Sequence, residues 1–499
     1  MTAALRAPGR SGAIGLVGAA VNGAFGFVLT TVLTRVYGAD GAGVLFSVIG
    51  VVTIAGAVCC LGADTALMWA LPRLRPVDNQ AEPSHSRATL TPTQCRGGGG
   101  GGARNKFENV DASQLMTVAL LPGAALAILV AAAGTAAATP IAHALNVNDP
   151  TLLRLAFGGV PLIVAATILL AAVRATRPIH VYAGIQFVLV PILRPLLLLL
   201  AGGSLLLGLT SWLLPITAAL LIAFALAPRP GRHPAGWRPF WSYALPRAVS
   251  VAVDASSMWI GVLLTGALAG QTEAGLFAAA GRYALAGLLI MQGLRVAMAP
   301  QLSKLLGDDR RDEAATLYRR TTLTIVALSF PAYLMLGIFA PAFLSLFGPE
   351  FAEAAAPLAV LCVAMLVNVG VGLVQTVLLM SGRSRGHLYA TLLGLALNVV
   401  ACPLLIPRWG ALGAAFAWSL GIVAENLLAA RLARRALRRP LSSRPLWLTA
   451  AGATAVTVLA AAAGVATGGR NLPGLAVALA VFLPIGLAAA VRSRKKGRQ

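Results

Sequence analysis

Charged residues are scarce in this chain of 499 residues: Asp, Glu, Lys and Arg together make up 11% of it, whereas 58% is hydrophobic. Soluble domains usually contain about 25% charged residues. The mean hydropathy of +0.81 also excludes a soluble globular protein and indicates an integral membrane protein. The apolar windows are about 20 residues long and lack the alternation typical of barrel strands, so we predict an all-α polytopic fold.

Acidic residues are the scarcer kind of charge, 16 against 39 Lys and Arg, which gives a net charge of +23. No basic soluble domain is visible, which argues against nucleic-acid binding. The basic residues instead cluster in alternate connections, as expected for cytoplasmic loops. We therefore predict that both termini are cytoplasmic and that the basic connections contact anionic lipids. Seven basic residues lie elsewhere: Arg35, Arg154, Arg194, Arg282, Arg295, Arg408 and Arg470.

Motifs of enzymes and metal sites are also missing. The five cysteines have no metal-ligand spacing, and no Ser/His/Asp, HExxH or CxxC pattern occurs. The run 97–102 is rich in glycine but lacks the Gly-Lys-Ser/Thr ending of a nucleotide-binding loop. We predict no enzyme, no metal and no cofactor. Any transport must then use a gradient of H+, Na+ or the substrate, or a partner protein.

What the chain does have is a series of long apolar segments. They predict fourteen transmembrane helices, at about 11–36, 43–70, 113–139, 152–173, 181–203, 209–227, 246–269, 276–301, 321–340, 354–381, 387–407, 410–433, 446–468 and 472–491.

Two short motifs recur along the chain. GADGAG at Gly38–Gly43 resembles GQTEAG at Gly270–Gly275, and the HVYA that begins at His180 resembles the HLYA that begins at His387. An even number of spans per repeat predicts two parallel six-helix lobes. We predict an N-terminal lobe at 1–227 with an inserted cytoplasmic loop at 71–112, a second lobe at 228–440, and two extra helices with a basic tail at 441–499.

Ionisable residues within spans are costly in hydrocarbon and therefore suggest function. Arg295 and Asp64 lie near the cytoplasmic span ends, where a side chain can reach water, so we interpret both as anchors. Arg282 lies among small residues, which favours a cavity. Arg194 is too deep to reach water easily, and its sequence position leaves a cavity or an ion pair open.

Two carboxylates also lie within predicted spans. Asp254 has serines nearby, and Glu425 is followed by Asn426. Each is either a partner of an arginine on a neighbouring span or a carboxylate that couples transport to a proton or cation.

Longer segments resemble the polysaccharide-biosynthesis (Wzx-type) flippases, of the same superfamily as multidrug and toxin extrusion (MATE) transporters and lipid II flippases. The resemblance covers about residues 11–440. It is carried by TRVYGADGAGVLFSVIG, EAGLFAAAGRYALAG, FGPEFAEAAAPLAVL, VLLMSGRSRGHLY and LNVVACPLLIPRWGALGAAFAWSLG.

This resemblance implies two six-span lobes around a central cavity in the bacterial cytoplasmic membrane. It implies a protein that moves polyprenyl-pyrophosphate-linked oligosaccharide by alternating access, with a polysaccharide polymerase and glycosyltransferases as possible partners. Its arginines fall on Arg282 and Arg35, to which we add Arg194 for the pyrophosphate. A sodium site of some lipid II flippases would fall on Asp254, Asn398 and Ser419, although Cys402 stands where a further acid is expected.

Three other functions remain open from the sequence. A MATE-type cation or drug antiporter would favour an acid-rich, aromatic pocket, but the first span has Asn22 and no acid. A lipid II flippase has the same architecture. A membrane scaffold for glycan assembly would transport nothing.

Overall fold

The computed structural model describes residues 10–74 and 110–496, and no strand occurs within these ranges. Helices prevail because a helix satisfies every backbone hydrogen bond within one segment, which hydrocarbon requires. The N-terminal half, up to residue 227, contains α1 (Arg10–Cys59), α2 (Ala63–Ala70), α3 (Ala112–Ala136), α4 (Ala138–Ala144), α5 (Pro150–Gly158), α6 (Val160–Thr176), α7 (Ile179–Ala183), α8 (Val190–Leu200) and α9 (Leu205–Leu226).

The C-terminal half follows the connection 227–236. It contains α10 (Trp237–Ala269), α11 (Gln271–Ala286), α12 (Leu289–Gly307), α13 (Arg311–Ile338), α14 (Ala340–Leu344), α15 (Ala355–Gly370), α16 (Val374–Met380), α17 (Ser384–Leu437), α18 (Arg444–Gly468) and α19 (Leu472–Lys496). The predicted all-α membrane fold is confirmed. Most of the predicted loop 71–112 lies outside the described residues, and the predicted lobe boundaries stay predictions.

Nine helices of the described ranges are long and apolar enough to cross a membrane, or up to eleven if each bent pair is one span. Two of them, Val21–Cys59 and Ser384–Leu437, have 39 and 54 residues. At 1.5 Å per residue they are about 60 and 80 Å long, enough for two crossings each. Non-helical backbone divides them at Gly38 and at Gly410. Counting each of these two helices as two spans brings the number of membrane spans closer to the predicted fourteen. The exact number stays a prediction.

The repeated glycine motifs adopt the same backbone geometry. Gly38 has φ 65° and ψ −171°, and Gly270 has φ 93° and ψ 169°. A side chain is disfavoured in this conformation, so glycine is required where one helix ends and the next begins. The resemblance between the two motifs thus reflects equivalent corners in the two halves.

These two corners pack against each other. A Cβ atom on Gly43 would lie 1.8 Å from the carbonyl oxygen of Gln271, and one on Gly275 would lie 2.0 Å from that of Ala39. The contact is reciprocal, as expected for two repeats related by a pseudo-two-fold axis. Only glycine permits such a close approach of α1 and α11.

Hydrogen bonds join the two halves around this contact. Ser47 Oγ donates to Gln271 Oε1 (2.9 Å), and Gln271 Nε2 donates to the carbonyl oxygen of Leu145. Asn146 Nδ2 donates to the carbonyl oxygens of Gly266 (2.9 Å) and Ala267 (3.0 Å) in the last turn of α10. We call this end of the molecule the glycine-corner end, and it is closed.

The two halves also meet where α1 ends and α2 begins, away from the glycine-corner end. The ring of Trp69 stacks on that of Tyr243 with 4.2 Å between centroids. A Cβ on Gly62, which has φ 72°, would lie 2.5 Å from the carbonyl oxygen of Ala244. The space enclosed by the two halves is therefore bounded by contacts at both ends.

Glu273 caps the second part of α17. Its Oε2 accepts a hydrogen bond from the backbone N–H of Ala411 (2.6 Å), directly after the break at Gly410. The carboxylate satisfies a donor that has no helical partner and faces the positive end of the helix dipole.

We expect Glu273→Ala to lower the free energy of unfolding by about 1 kcal/mol, the usual effect of removing a helix cap. Thermal unfolding of the detergent-solubilised protein measures it. Glu353→Ala, which removes an exposed carboxylate from the turn Pro349–Ala354, is the matched control. Equal melting temperatures for the two variants would contradict the capping role.

The last two helices form a hairpin on the C-terminal half. α18 packs along α13, and its turn to α19 places Gly464 against the carbonyl oxygen of Gly474. Before this hairpin, Arg439 Nε donates to Asp312 Oδ1 (2.5 Å) at the start of α13. Both groups are exposed to water, so the pair contributes little to stability.

Candidate functional site

A cavity of about 810 Å3 lies between the two halves. Its wall is mainly apolar, with polar, charged and aromatic groups from α1, α2, α6 to α11 and the π-helix Gly184–Leu189 between α7 and α8. Among them are Asn22, Thr30, Phe46, Thr53, Asp64, Thr167, Arg174, Tyr182, Gln186, Arg194, Trp212, Trp259 and Arg282. This volume suits a ligand of several sugar rings or a comparable headgroup.

Arg282 faces this cavity from α11. Its guanidinium carbon lies 5.5 Å from the ring centroid of Phe46 and 5.7 Å from that of Trp259. Within the described ranges it makes no ion pair and no hydrogen bond to another side chain. Arg282 therefore lines a cavity, and its role in binding pyrophosphate stays a prediction.

Arg194 faces the same cavity from α8. Its guanidinium carbon lies 4.6 Å from the ring centroid of Trp212. Its Nε is buried and has no hydrogen-bond partner among the described residues. A buried donor without a partner is costly, so Arg194 has unused capacity to bind an acceptor. Two guanidinium groups that face one cavity without a paired carboxylate have the chemistry to accept an anion.

Two further charged residues line the cavity, and the sequence analysis did not place them there. Arg174, at the end of α6, lies 5.2 Å over the ring of Tyr182. Asp64, interpreted above as an anchor near the membrane surface, begins α2 and accepts a hydrogen bond from Thr65 Oγ (3.3 Å). In sequence, Arg174 is indistinguishable from the other arginines that follow a span, so no local signal could have identified it.

Arg35 does not line this cavity. It lies on α1 near the glycine-corner end, where its Nε donates to the carbonyl oxygen of Leu346 (2.9 Å). The structure therefore brings Arg282 and Arg194 together and places Arg35 elsewhere, in a contact between the two halves. Arg295, on α12, is exposed and also lies outside the cavity wall.

Three of the residues predicted for ion coupling, Glu425, Asn398 and Ser419, are not part of the cavity wall. Glu425 Oε1 accepts hydrogen bonds from Gln375 Nε2 (2.8 Å) and Thr391 Oγ (3.1 Å). Asn398 Oδ1 accepts one from Cys402 Sγ (3.4 Å). Ser419 Oγ is buried without a hydrogen-bond partner in the described ranges. The side chain of Asp254 lies outside the described part of α10.

No group of three or more His, Cys, Asp or Glu that could hold a metal occurs among the described residues. The role of Glu425, Asn398 and Ser419 in ion coupling stays a prediction.

Residues 160–486 match the family described as lipid II flippase MurJ, which is more than half of the chain. The chain belongs to this family. It is a flippase, a transporter and not an enzyme, and a multi-pass protein of the bacterial inner membrane, as the family is. The predicted superfamily is confirmed. The finer assignment to the Wzx branch stays a prediction.

Solved structures share the fold of this MurJ-family chain. "Lipid II flippase MurJ, inward closed conformation" has a TM-score of 0.72 at 10% identity and covers 96% of this chain and 98% of its own. An inward-facing MATE family transporter of the MOP superfamily has a TM-score of 0.62 at 15% identity, covering 83% and 94%. A MOP superfamily transporter from Pyrococcus furiosus has a TM-score of 0.56 at 15% identity, covering 86% and 96%. No curated protein matches the chain by sequence.

Proposed function

We propose that this flippase moves a polyprenyl lipid, whose pyrophosphate carries a saccharide, from the inner to the outer leaflet by alternating access. The observation that carries the proposal is the pair Arg282 and Arg194, which face one cavity without a carboxylate partner among the described residues. Family membership favours lipid II as the substrate. An oligosaccharide repeat unit, as in the Wzx branch, has the same linkage chemistry and is the second candidate.

The cavity chemistry fits the headgroup of such a lipid. Pyrophosphate needs cationic donors, and the planar guanidinium forms two parallel hydrogen bonds to phosphate oxygens. The saccharide needs polar groups and water, which Asn22, Gln186 and the cavity threonines accommodate. The polyprenyl chain can remain in the surrounding lipid, so only the headgroup must enter the protein.

We also propose an energy source, an orientation in the membrane and partner proteins. Transport draws on a gradient of H+ or Na+, with Glu425 or Asp254 as the coupling carboxylate. Both termini lie in the cytoplasm, so the glycine-corner end faces outward, and the basic connections bind anionic lipids. A polysaccharide polymerase and glycosyltransferases would act together with the flippase if its substrate is a repeat unit.

Transport into proteoliposomes tests the proposal. The purified protein is reconstituted with fluorescent lipid II, or with a fluorescent polyprenyl-pyrophosphate oligosaccharide, and exposure of the label to an impermeant quencher is followed. We expect transport of at least one of the two lipids. The lipid that is transported faster shows whether the substrate is lipid II or an oligosaccharide repeat unit. Transport of neither lipid, together with efflux of a cationic drug, would favour the antiporter alternative. Transport of nothing would favour the scaffold.

A further inference from the structure

We infer that Phe46 and Trp259 are positioning residues that hold Arg282 ready for the pyrophosphate, and that Phe46 does so only while the glycine-corner end is closed. The inference rests on the proposed function and adds to it a reason why affinity for the headgroup changes during the transport cycle.

The guanidinium carbon of Arg282 lies within 6 Å of both ring centroids, the range of a cation–π interaction. Phe46 is buried and Trp259 is half-buried. The three residues also line a second cavity of about 40 Å3, so they form part of the wall between the small cavity and the large one.

An aromatic partner leaves the hydrogen-bond donors of Arg282 available, and a carboxylate would not. A carboxylate would neutralise Arg282 and occupy its N–H groups. An aromatic ring stabilises the positive charge through its face, and all five donors lie in the plane of the guanidinium. Arg282 therefore keeps both its charge and its hydrogen-bonding edge for a phosphate, while its partly desolvated charge is compensated by the rings.

The two aromatic rings lie on helices of different halves of the chain. Trp259 lies on α10 and Arg282 on α11, which are consecutive helices of the C-terminal half. Phe46 belongs to the N-terminal half and lies one helical turn after Gly43, whose backbone packs against Gln271. Any movement that separates α1 from α11 at the glycine-corner end withdraws Phe46 from Arg282, whereas Trp259 can stay.

Arg194 provides an internal comparison. Its aromatic partner, Trp212, lies on α9, in the same half of the chain as Arg194 itself. That contact can persist when the halves separate. The two cavity arginines therefore differ: the surroundings of Arg194 are constant, and those of Arg282 depend on the conformation. The headgroup is bound more tightly when this end is closed and is released more easily when it opens.

The main test measures transport rate against the concentration of fluorescent lipid II, or of the fluorescent oligosaccharide lipid if that is the substrate. We expect Phe46→Leu and Trp259→Leu to raise KM about 5- to 10-fold with kcat changed less than about twofold, the size of a lost cation–π contact. Phe46→Tyr and Trp259→Phe should restore KM to within about twofold. Phe157→Leu, a buried aromatic outside the cavity wall, should leave KM unchanged.

A double-variant cycle tests the dependence on conformation. Gly275→Ala is expected to open the glycine-corner end, so Phe46→Leu should raise KM less in that background than in the wild type, whereas Trp212→Leu should raise it equally in both. Equal effects of Phe46→Leu in both backgrounds would overturn the state dependence.

Other outcomes separate the inference from the proposed function. An unchanged KM in folded Phe46→Leu, or a failure of Phe46→Tyr to restore it, would overturn the positioning role. If Arg282→Ala still abolishes transport in that case, the proposed function stands and only the inference fails. If the wild type transports neither lipid, the proposed function fails and the inference with it.

Discussion

Arg282→Ala is expected to reduce transport of the lipid substrate by about 100-fold or more while the protein still folds and inserts into the membrane. The variant removes a charged double hydrogen bond to pyrophosphate, and hydrogen bonds to charged groups contribute about 1.5–3 kcal/mol each. It should not destabilise the fold, because the wild-type guanidinium has no ion pair to lose among the described residues. Transport in proteoliposomes and thermal unfolding measure the two effects separately.

Two variants serve as controls for this prediction. Arg154→Ala removes an exposed arginine outside the cavity wall and should leave transport intact. Arg282→Lys keeps the charge but loses the planar fork, so we expect an intermediate rate. Wild-type transport by Arg282→Ala at normal protein levels would exclude the anion site proposed here.

The sequence distinguished Arg282 from Arg295 by the residues around each of them. Both lie about six residues from an end of the predicted span 276–301, but only Arg282 lies among small residues, which let a ligand or a helix come close. In the structure Arg282 lines the cavity, and Arg295 is exposed on α12. The neighbours of a charge along its own helix could be predicted because they depend only on local sequence.

The partners of these charges could not be predicted in the same way. Arg35 lies in a motif that resembles other flippases, yet its hydrogen bond goes to the carbonyl oxygen of Leu346, far away in sequence. Asp64 and Arg174 both lie close to span ends, and only the packing of α2 and α6 around the cavity turns them inward. Contacts between distant helices depend on tertiary packing, which a single sequence does not reveal.

The glycine motifs are a second case in which a contact between distant helices could not be predicted from the sequence. Their repetition predicted equivalent corners, and Gly38 and Gly270 do share one backbone conformation. The sequence did not indicate that the two corners touch each other. That contact exists only when both halves are packed together. It brings the backbones of α1 and α11 very close to each other at Gly43 and Gly275.

Gly275→Ala is therefore expected to open the glycine-corner end and to slow transport strongly. The added Cβ would lie 2.0 Å from the carbonyl oxygen of Ala39, so α1 and α11 must move apart by more than 1 Å to reach an ordinary contact of about 3.4 Å. Overpacking of this kind costs about 1–3 kcal/mol. The cost falls only on the closed state, so the population of the open state rises about 5- to 150-fold.

Labelling of an introduced cysteine measures this shift. Leu33→Cys places a thiol in the cavity wall near the glycine-corner end, in a protein whose own cysteines have been replaced. An impermeant maleimide added from that side should label it faster in the Gly275→Ala background. Gly43→Ala should act in the same direction, since its Cβ would lie 1.8 Å from the carbonyl oxygen of Gln271.

Gly452→Ala is the matched control, because its Cβ would meet nothing within 4 Å. If Gly275→Ala labels and transports like Gly452→Ala, the corner contact does not hold this end closed. If instead labelling rises while transport falls, closure at the corner is a required step of the cycle, since the substrate must be enclosed before it can be released on the other side. The same result would make the reciprocal glycine contact the element whose equilibrium sets the occupancy of the Arg282 site.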